Sequence, residues 1–354
     1  MMIKQDTWFL RKKLLSYLIT NCLNFNIYHF YILNVISKLI SVKSLDDILR
    51  CINLSSLLEL SGSPKPGNVH RLKDYKSTRF EHFLAGISAI QPNFRSFCER
   101  IYEDLENNEG DYGFIKLGQF FESASHQMMQ WQQGGNVLLG HLLILAPLAA
   151  AGIICFKQKL LTISNFNEIL KKIINDTTVN DTVSLYKAIK FCNPGGLGKI
   201  DNYDLNDDNS MNEIKNDKIT LKMIFELSKS YDMISREYST NFSIILKEGL
   251  PYFFITYETY KDINIATVNT FLKVLSNYPD TLIIRKSGLT KAKNVSEAAK
   301  RVLKLGGIAT KNGLKSVMKL DKKLHLKNGL LNPGTTADII AGIIFCALLF
   351  GLRY

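Results

Sequence analysis

No Cys-x-x-Cys pair, no G-x-x-x-x-G-K-[ST] loop and no strand–glycine–helix unit occurs in this chain of 354 residues. The six cysteines, at 22, 51, 98, 155, 192 and 346, sit mostly among apolar neighbours, as in Ile154-Cys155-Phe156. That arrangement makes neither a zinc site nor a disulfide framework, and it reads as reduced core residues of a cytoplasmic protein. The missing glycine motifs exclude a P-loop phosphate cradle and a dinucleotide-binding Rossmann unit. Strand-like alternation is scarce, Thr281 to Ile284 coming nearest. Eight prolines serve the whole chain, and with glycine they punctuate apolar helical stretches rather than hairpins.

Concentrated charge is also missing. Lys plus Arg is 44 against 32 for Asp plus Glu, a net charge of +12. The excess is spread along the chain, with short clusters such as Arg11-Lys12-Lys13 and Lys322-Lys323. Nucleic-acid readers gather such charge on a recognisable module, and none is present, so no nucleic-acid partner is expected. The balance favours small anionic partners such as nucleotides and coenzymes; a solvated lysine-rich surface accounts for it equally well. Asp204, Asp207 and Asp208 lack the central glycine and twelfth-position glutamate of a calcium loop. The stretch from Asp201 to Lys218 reads as an exposed, mobile loop.

Two apolar runs invite a membrane reading. Val137 to Phe156 has the length but carries His141, Pro147 and two glycines, and Ile339 to Leu352 is shorter than the roughly 20 residues a span needs. Buried core helices explain both, and no membrane span is expected. Met1 to Ile40 mixes Lys and Arg with large apolar residues and lacks a signal-peptide cleavage site. It reads as an added amphipathic helix or as residues upstream of the true start.

What the chain has in quantity is helical periodicity. Leu221, Ile224, Phe225, Tyr231, Ile234, Tyr238, Phe242 and Ile245 mark one face of a long helix. Val268, Phe271, Leu272 and Leu275 do the same before Pro279, and Ser296 to Leu305 ends at Gly306-Gly307. The expectation is an all-α protein: a single large helical-bundle domain over 45–354, with an N-terminal extension over 1–44 that is peripheral or poorly ordered.

Five local patterns stand out in order. They are Glu59 through Arg71, with Ser63-Pro64-Lys65-Pro66-Gly67-Asn68-Val69-His70-Arg71 at its end, continuing to Asp74, Arg79, Glu81 and Phe83-Leu84; Gly134-Gly135-Asn136 running into the apolar helix with Gly140; Asn193-Pro194-Gly195-Gly196-Leu197-Gly198; Asp280-Thr281-Leu282-Ile283-Ile284-Arg285-Lys286; and Leu331-Asn332-Pro333-Gly334-Thr335-Thr336-Ala337-Asp338. Proline fixes φ and glycine admits conformations closed to other residues, so such loops hold a definite shape. One loop is basic; the other is rich in hydroxyls and ends in an acid.

The S/T-P-K-P-G loop, the D-T-x-I element near a basic residue and the L-N-P-G-x-x-A-D ending together resemble the triphosphoribosyl-dephospho-CoA synthase family, from about Asp46 to the C-terminus. The chain departs from that family's G-V-N-T-H-K-G-like segment, having no His-Lys pair, and carries His70 where members often have Asp. The resemblance implies a divergent transferase that uses ATP and magnesium. It moves the triphosphoribosyl group to the 2′-hydroxyl of dephospho-CoA and releases adenine. The alternative is a nucleotide-binding helical protein with a different acceptor or no catalysis.

The same resemblance suggests roles. Asp338 and Asp280 are candidate catalytic carboxylates and magnesium ligands, with Glu81 a third acid and His70 a base by type. Lys65 and Arg71, then Arg285 and Lys286, are candidates for the triphosphate. Asn136, Asn332, Thr335 and Thr336 would hydrogen-bond ribose or phosphate, and Gly67, Gly135 and Gly334 would allow close backbone approach. Each has a plainer reading: a helix cap for Asp280, a first-turn acid for Asp338, a solvated helix acid for Glu81, solvated surface for the cations. The two Pro-Gly loops are expected to line one cleft, with Lys65 and Asp338 at its surface. The sequence leaves the oligomeric state unknown.

Overall fold

The computed structural model describes residues 38–108, 110–195 and 202–354. Most of the expected N-terminal extension, up to residue 37, lies outside the described residues, as does Gly196-Leu197-Gly198. Among the described residues there is no strand; the backbone forms two isolated bridges, Leu39 with Thr162 and His70 with Lys73. In chain order the helices are α1 (Leu45–Ser61), α2 (Phe80–Ala89), α3 (Gln91–Asp104), α4 (Leu117–Gln130), α5 (Leu139–Lys157), α6 (Ile163–Asn175), α7 (Val179–Cys192) and α8 (Ser210–Asn216). There follow α9 (Leu221–Ser228), α10 (Met233–Ser239), a π-helical stretch (Ile244–Gly249), α11 (Leu250–Tyr260), α12 (Ile263–Asn277), α13 (Thr281–Ser287), α14 (Leu289–Lys304), α15 (Lys311–His325) and α16 (Gly334–Leu349).

The two apolar runs form the centre. α5 and α16 pack side by side, and α1 lies against both. Every residue from His141 to Cys155 is buried, and so is every residue from Ile339 to Leu349. α5 is long and apolar enough to cross a membrane, yet 89% of its most apolar window is buried by neighbouring helices. Burying one Leu or Ile side chain contributes about 1.5–3 kcal/mol, so this packing is the main source of cohesion. The fold starts before the expected boundary at residue 45. Ile40 and Val42 are buried, and the amides of Ile40 and Ser41 donate to Leu161 O at 2.8 Å and Leu349 O at 3.0 Å.

Three local expectations are corrected. The long helix expected over 221–245 is broken into α9, α10 and the π-helical stretch. Asp232 caps α10 by accepting from the Ser235 amide at 2.9 Å, and Asn241 and Phe242 take φ of 54° and 57°. The buried Glu237 carboxylate accepts from the amides of Ile244 and Ile245 at 2.9 and 3.0 Å. Periodicity survives such breaks because the same face stays buried. Thr281 to Ile284 is helical because Asp280 caps it. Within the stretch expected as an exposed loop, Ser210–Asn216 forms α8, whose Ile214 is buried.

Candidate active site

The described parts of the five patterns are linked to one another. Asn68 Nδ2 donates to Asn332 Oδ1 at 2.9 Å, which joins the two Pro-Gly loops. Thr78 Oγ1, just beyond the first loop, donates to Gly134 O at 3.0 Å. A side chain at Gly195 would come within 3.8 Å of Lys286, and one at Gly334 within 2.7 Å of Leu282. A methyl at Gly140 would collide with the Asp338 carboxylate. Asn136 starts α5 by accepting from the Leu139 amide at 3.1 Å, and Gly135 takes φ of 78° with open space on its side-chain face.

A buried ionic row occupies this junction. Glu59, in the last turn of α1, accepts from the Lys65 ammonium. Its other oxygen lies 3.4 Å from His141 Nε2. His141 Nδ1 stands 2.7 Å from Asp338 Oδ1, at the start of the second turn of α16. Lys65 is fully buried and Glu59 and His141 are 2% exposed, whereas the Asp338 side chain is 16% exposed. The row therefore holds two cations and two anions and opens to solvent at its Asp338 end.

Charge states follow from this alternation. Burial pushes the His141 imidazolium towards neutrality, but Asp338 and Glu59 outweigh it and raise its pKa to about 9. Burial pushes Glu59 up, and Lys65 and His141 more than reverse this, leaving it below its ordinary value. Burial holds the Asp338 carboxyl above its ordinary value, against the pull of His141.

The other expected site residues divide. Lys65 is not at a cleft surface; its ammonium is spent on Glu59, with a further bond to Glu59 O at 2.8 Å. Asp280 is fully buried with both oxygens committed. Oδ1 accepts from the amides of Leu282 and Ile283 at 2.9 and 3.1 Å, and Oδ2 accepts from Thr336 N and Oγ1 at 2.7 and 2.8 Å. It caps α13 and ties it to the start of α16, so the capping reading is the one the structure supports; burial raises its pKa to about 6. Thr335 and Thr336 are buried, and Thr335 Oγ1 accepts from Thr281 Oγ1 at 3.2 Å. Asn332 stays half-buried beside Gly334, whose amide donates to Asn332 O at 2.9 Å. Arg285 is 27% exposed and pairs with Asp232 at 2.9 Å, while Arg71 and Lys286 are exposed. Glu81 is an exposed acid in the first turn of α2. His70 is buried, its Nδ1 3.1 Å from Ser63 Oγ and its Nε2 3.6 Å from Asp321 Oδ2.

Sequence reasoning assigned no role to Glu59 or His141. The signal was present: each is a lone ionisable residue inside an apolar helical run, Leu58-Glu59-Leu60 and Gly140-His141-Leu142. A buried charge persists only with a partner. Neither carbon spacing nor periodicity says that these two share one.

The chain matches the family model described as CitG, ATP:dephospho-CoA triphosphoribosyl transferase, over residues 45–353. It is 29% identical over 105 residues to the 2-(5''-triphosphoribosyl)-3'-dephosphocoenzyme-A synthase of Klebsiella pneumoniae, covering 30% of this chain and 34% of that one. It is 23% identical over 298 residues to Protein CitXG of Leuconostoc mesenteroides subsp. cremoris, covering 83% of this chain and 57% of that protein. The matches thus span from about a third to somewhat over half of these relatives' length. A proposed triphosphoribosyl-dephospho-CoA synthase of Archaeoglobus fulgidus, known from its crystal structure, aligns with a TM-score of 0.55 and 25% identity, over 76% of this chain and all of that one. With its loops joined at one junction and the family model matched over nearly its whole length, the chain belongs to the ATP:dephospho-CoA triphosphoribosyl transferase family.

Proposed function

We propose that this chain transfers the 5-triphosphoribosyl group of ATP to the 2′-hydroxyl of 3′-dephospho-CoA and releases adenine, in the cytoplasm. The observation that carries this reading is Asp338: a partly exposed carboxylate, one oxygen held by the His141 imidazolium, at the end of one of the three family-like motifs. In the reaction the hydroxyl oxygen bonds to C1 of the ribose and the C1–N9 bond breaks, adenine leaving with the electron pair and taking up a proton. The ribose passes through a cation-like state that a fixed carboxylate stabilises. Asp338 faces that charge and takes the hydroxyl proton at Oδ2, while Oδ1 stays with His141. Glu59 and Asp338 itself keep His141 charged, and Lys65 holds Glu59 in place, so that Asp338 need not reorganise during the reaction. Arg71, Arg285 and Lys286 neutralise the triphosphate from the rim.

Magnesium enters with the nucleotide. The described residues include no group of three or more His, Cys, Asp or Glu arranged to hold a metal, and the carboxylate of Asp280 is fully engaged by hydrogen bonds. The residues therefore do not fit a magnesium held by protein groups alone. The triphosphate oxygens and water are its natural ligands.

The test is adenine release from magnesium-ATP with dephospho-CoA. Asp338→Asn should lower turnover at least about a hundredfold, roughly 2.7 kcal/mol of transition-state stabilisation, and leave the magnesium dependence of nucleotide binding unchanged. Saturable ATP binding without adenine release from the unaltered protein would instead identify a binding module. Adenine release without loss of acceptor would identify a nucleosidase.

A further inference from the structure

A second polar cluster lies on the other side of the first loop and is not part of the ionic row. Its centre is Gly67, with φ of 73°, where a side chain would meet Leu324 Cβ at 2.7 Å and Leu331 O at 2.9 Å. Both backbone groups of Gly67 are held from outside the loop. Its amide donates to Asp321 Oδ1 at 3.0 Å, and its carbonyl accepts from Tyr75 OH at 2.6 Å. The two holders are joined by a third residue. His325 Nδ1 lies 2.9 Å from Asp321 Oδ1, and the His325 ring stacks on Tyr75 with centroids 4.8 Å apart. The contacts close a ring: Gly67, Asp321, His325, Tyr75 and back to Gly67. His70 Nε2 and Lys73 Nζ stand 3.6 and 3.9 Å from Asp321 Oδ2, so the carboxylate is surrounded by donors. Burial pushes the Asp321 carboxyl up, but those donors more than reverse this and hold it well below the usual range.

We infer that Asp321, His325 and Tyr75 are positioning residues: they clamp the backbone of the first loop at Gly67 and so set where Lys65, Asn68 and Arg71 stand in the transferase site. The inference rests on the proposed function for its kinetic consequence, though not for the clamp itself. Gly67 lies two residues from Lys65, which anchors the ionic row, one from Asn68, which binds the second loop, and four from Arg71 on the triphosphate rim. Asp321 and His325 are four apart on α15, one turn on the same face, so a single helix carries two of the three clamp residues. A glycine with positive φ is intrinsically mobile, and two charged or aromatic holders remove that freedom.

Two variants of the full chain test this. Tyr75→Phe keeps the ring stacked on His325 and removes only the hydrogen bond to Gly67; Asp321→Asn keeps the shape and removes the charge. Hydrogen exchange in the peptide containing Gly67 and Asn68 should quicken at least about tenfold in both, with α5 and α16 unchanged. KM for ATP should rise about tenfold with kcat within about threefold, because a loosened loop loses ground-state and transition-state binding alike. The double variant should be no worse than the weaker single one, since both act through one glycine. Unchanged exchange at Gly67 in Tyr75→Phe overturns the clamp. Faster exchange with KM for ATP within about twofold shows a loop held for stability alone, and also overturns it. If the unaltered protein releases no adenine, the dissociation constant for magnesium-ATP replaces KM, so failure of the proposed reaction is told apart from failure of the clamp.

Discussion

The N-terminal ends of α5 and α16 and the bodies of the same helices differ in what they bury. At the N-terminal ends Gly140 makes room for Asp338, and His141 stands between that carboxylate and Glu59. From Leu142 and Ile339 onward the helices bury only apolar side chains and small residues. The bodies hold the fold through area, which tolerates changes that keep volume. The N-terminal ends hold charges in alternation, and there each charge is a condition for the next.

The contrast is broken most forcefully at Lys65. Removing its charge leaves Glu59 buried with a more distant cation as its remaining neighbour. Lys65→Met should therefore cost about 3–5 kcal/mol of stability, as one-sided loss of a buried pair does. Urea unfolding would show it, and a cost below about 1 kcal/mol would mean that Lys65 is a surface cation after all.

Two glycines on one helix sharpen the comparison. Gly140→Ala should displace Asp338, cost about 1–3 kcal/mol as overpacking does, and lower adenine release at least about tenfold. Gly152→Ala meets Leu349 at 3.4 Å, an ordinary contact. It should leave release unchanged and add up to about 1 kcal/mol through helix propensity. Equal effects at both positions would erase the distinction between N-terminal end and body.

The smallest effect is in pH. The folded pKa of His141 is raised to about 9 from 6.5. The folded state thus binds the proton more tightly, and the associated stability is complete below about 6.5 and is lost as pH rises through about 9. Asp280, raised to about 6 from 3.8, acts in a separate window: stability falls as pH rises between those values. Unfolding midpoints from pH 7 to 10 should decline in the native protein and decline less in His141→Gln. Parallel profiles would take His141 out of the row.

Much was legible beforehand. The helical class and the core role of the two apolar runs follow from periodicity, and the meeting of the Pro-Gly loops was implied by the family resemblance of their motifs. The breaks at Asp232 and Asn241 were hidden because a buried face looks continuous in sequence even when the helix carrying it turns. Asp280 stood between a metal ligand and a helix cap, and Lys65 was expected at a cleft surface because its type suits phosphate chemistry; only their partners show that one is a cap and the other a buried counter-ion.

The sequence by itself determined the helical class and which loops are stiff, since propensity, apolar period and the φ limits of proline and glycine act over a few residues. Tertiary structure alone decided that Glu59, Lys65, His141 and Asp338, spread over most of the described chain, form one row with its open end at Asp338. A charge in an apolar helix declares that it needs a partner but not which one. The partner is chosen by packing three helices so that the alternation of charge offsets the loss of water.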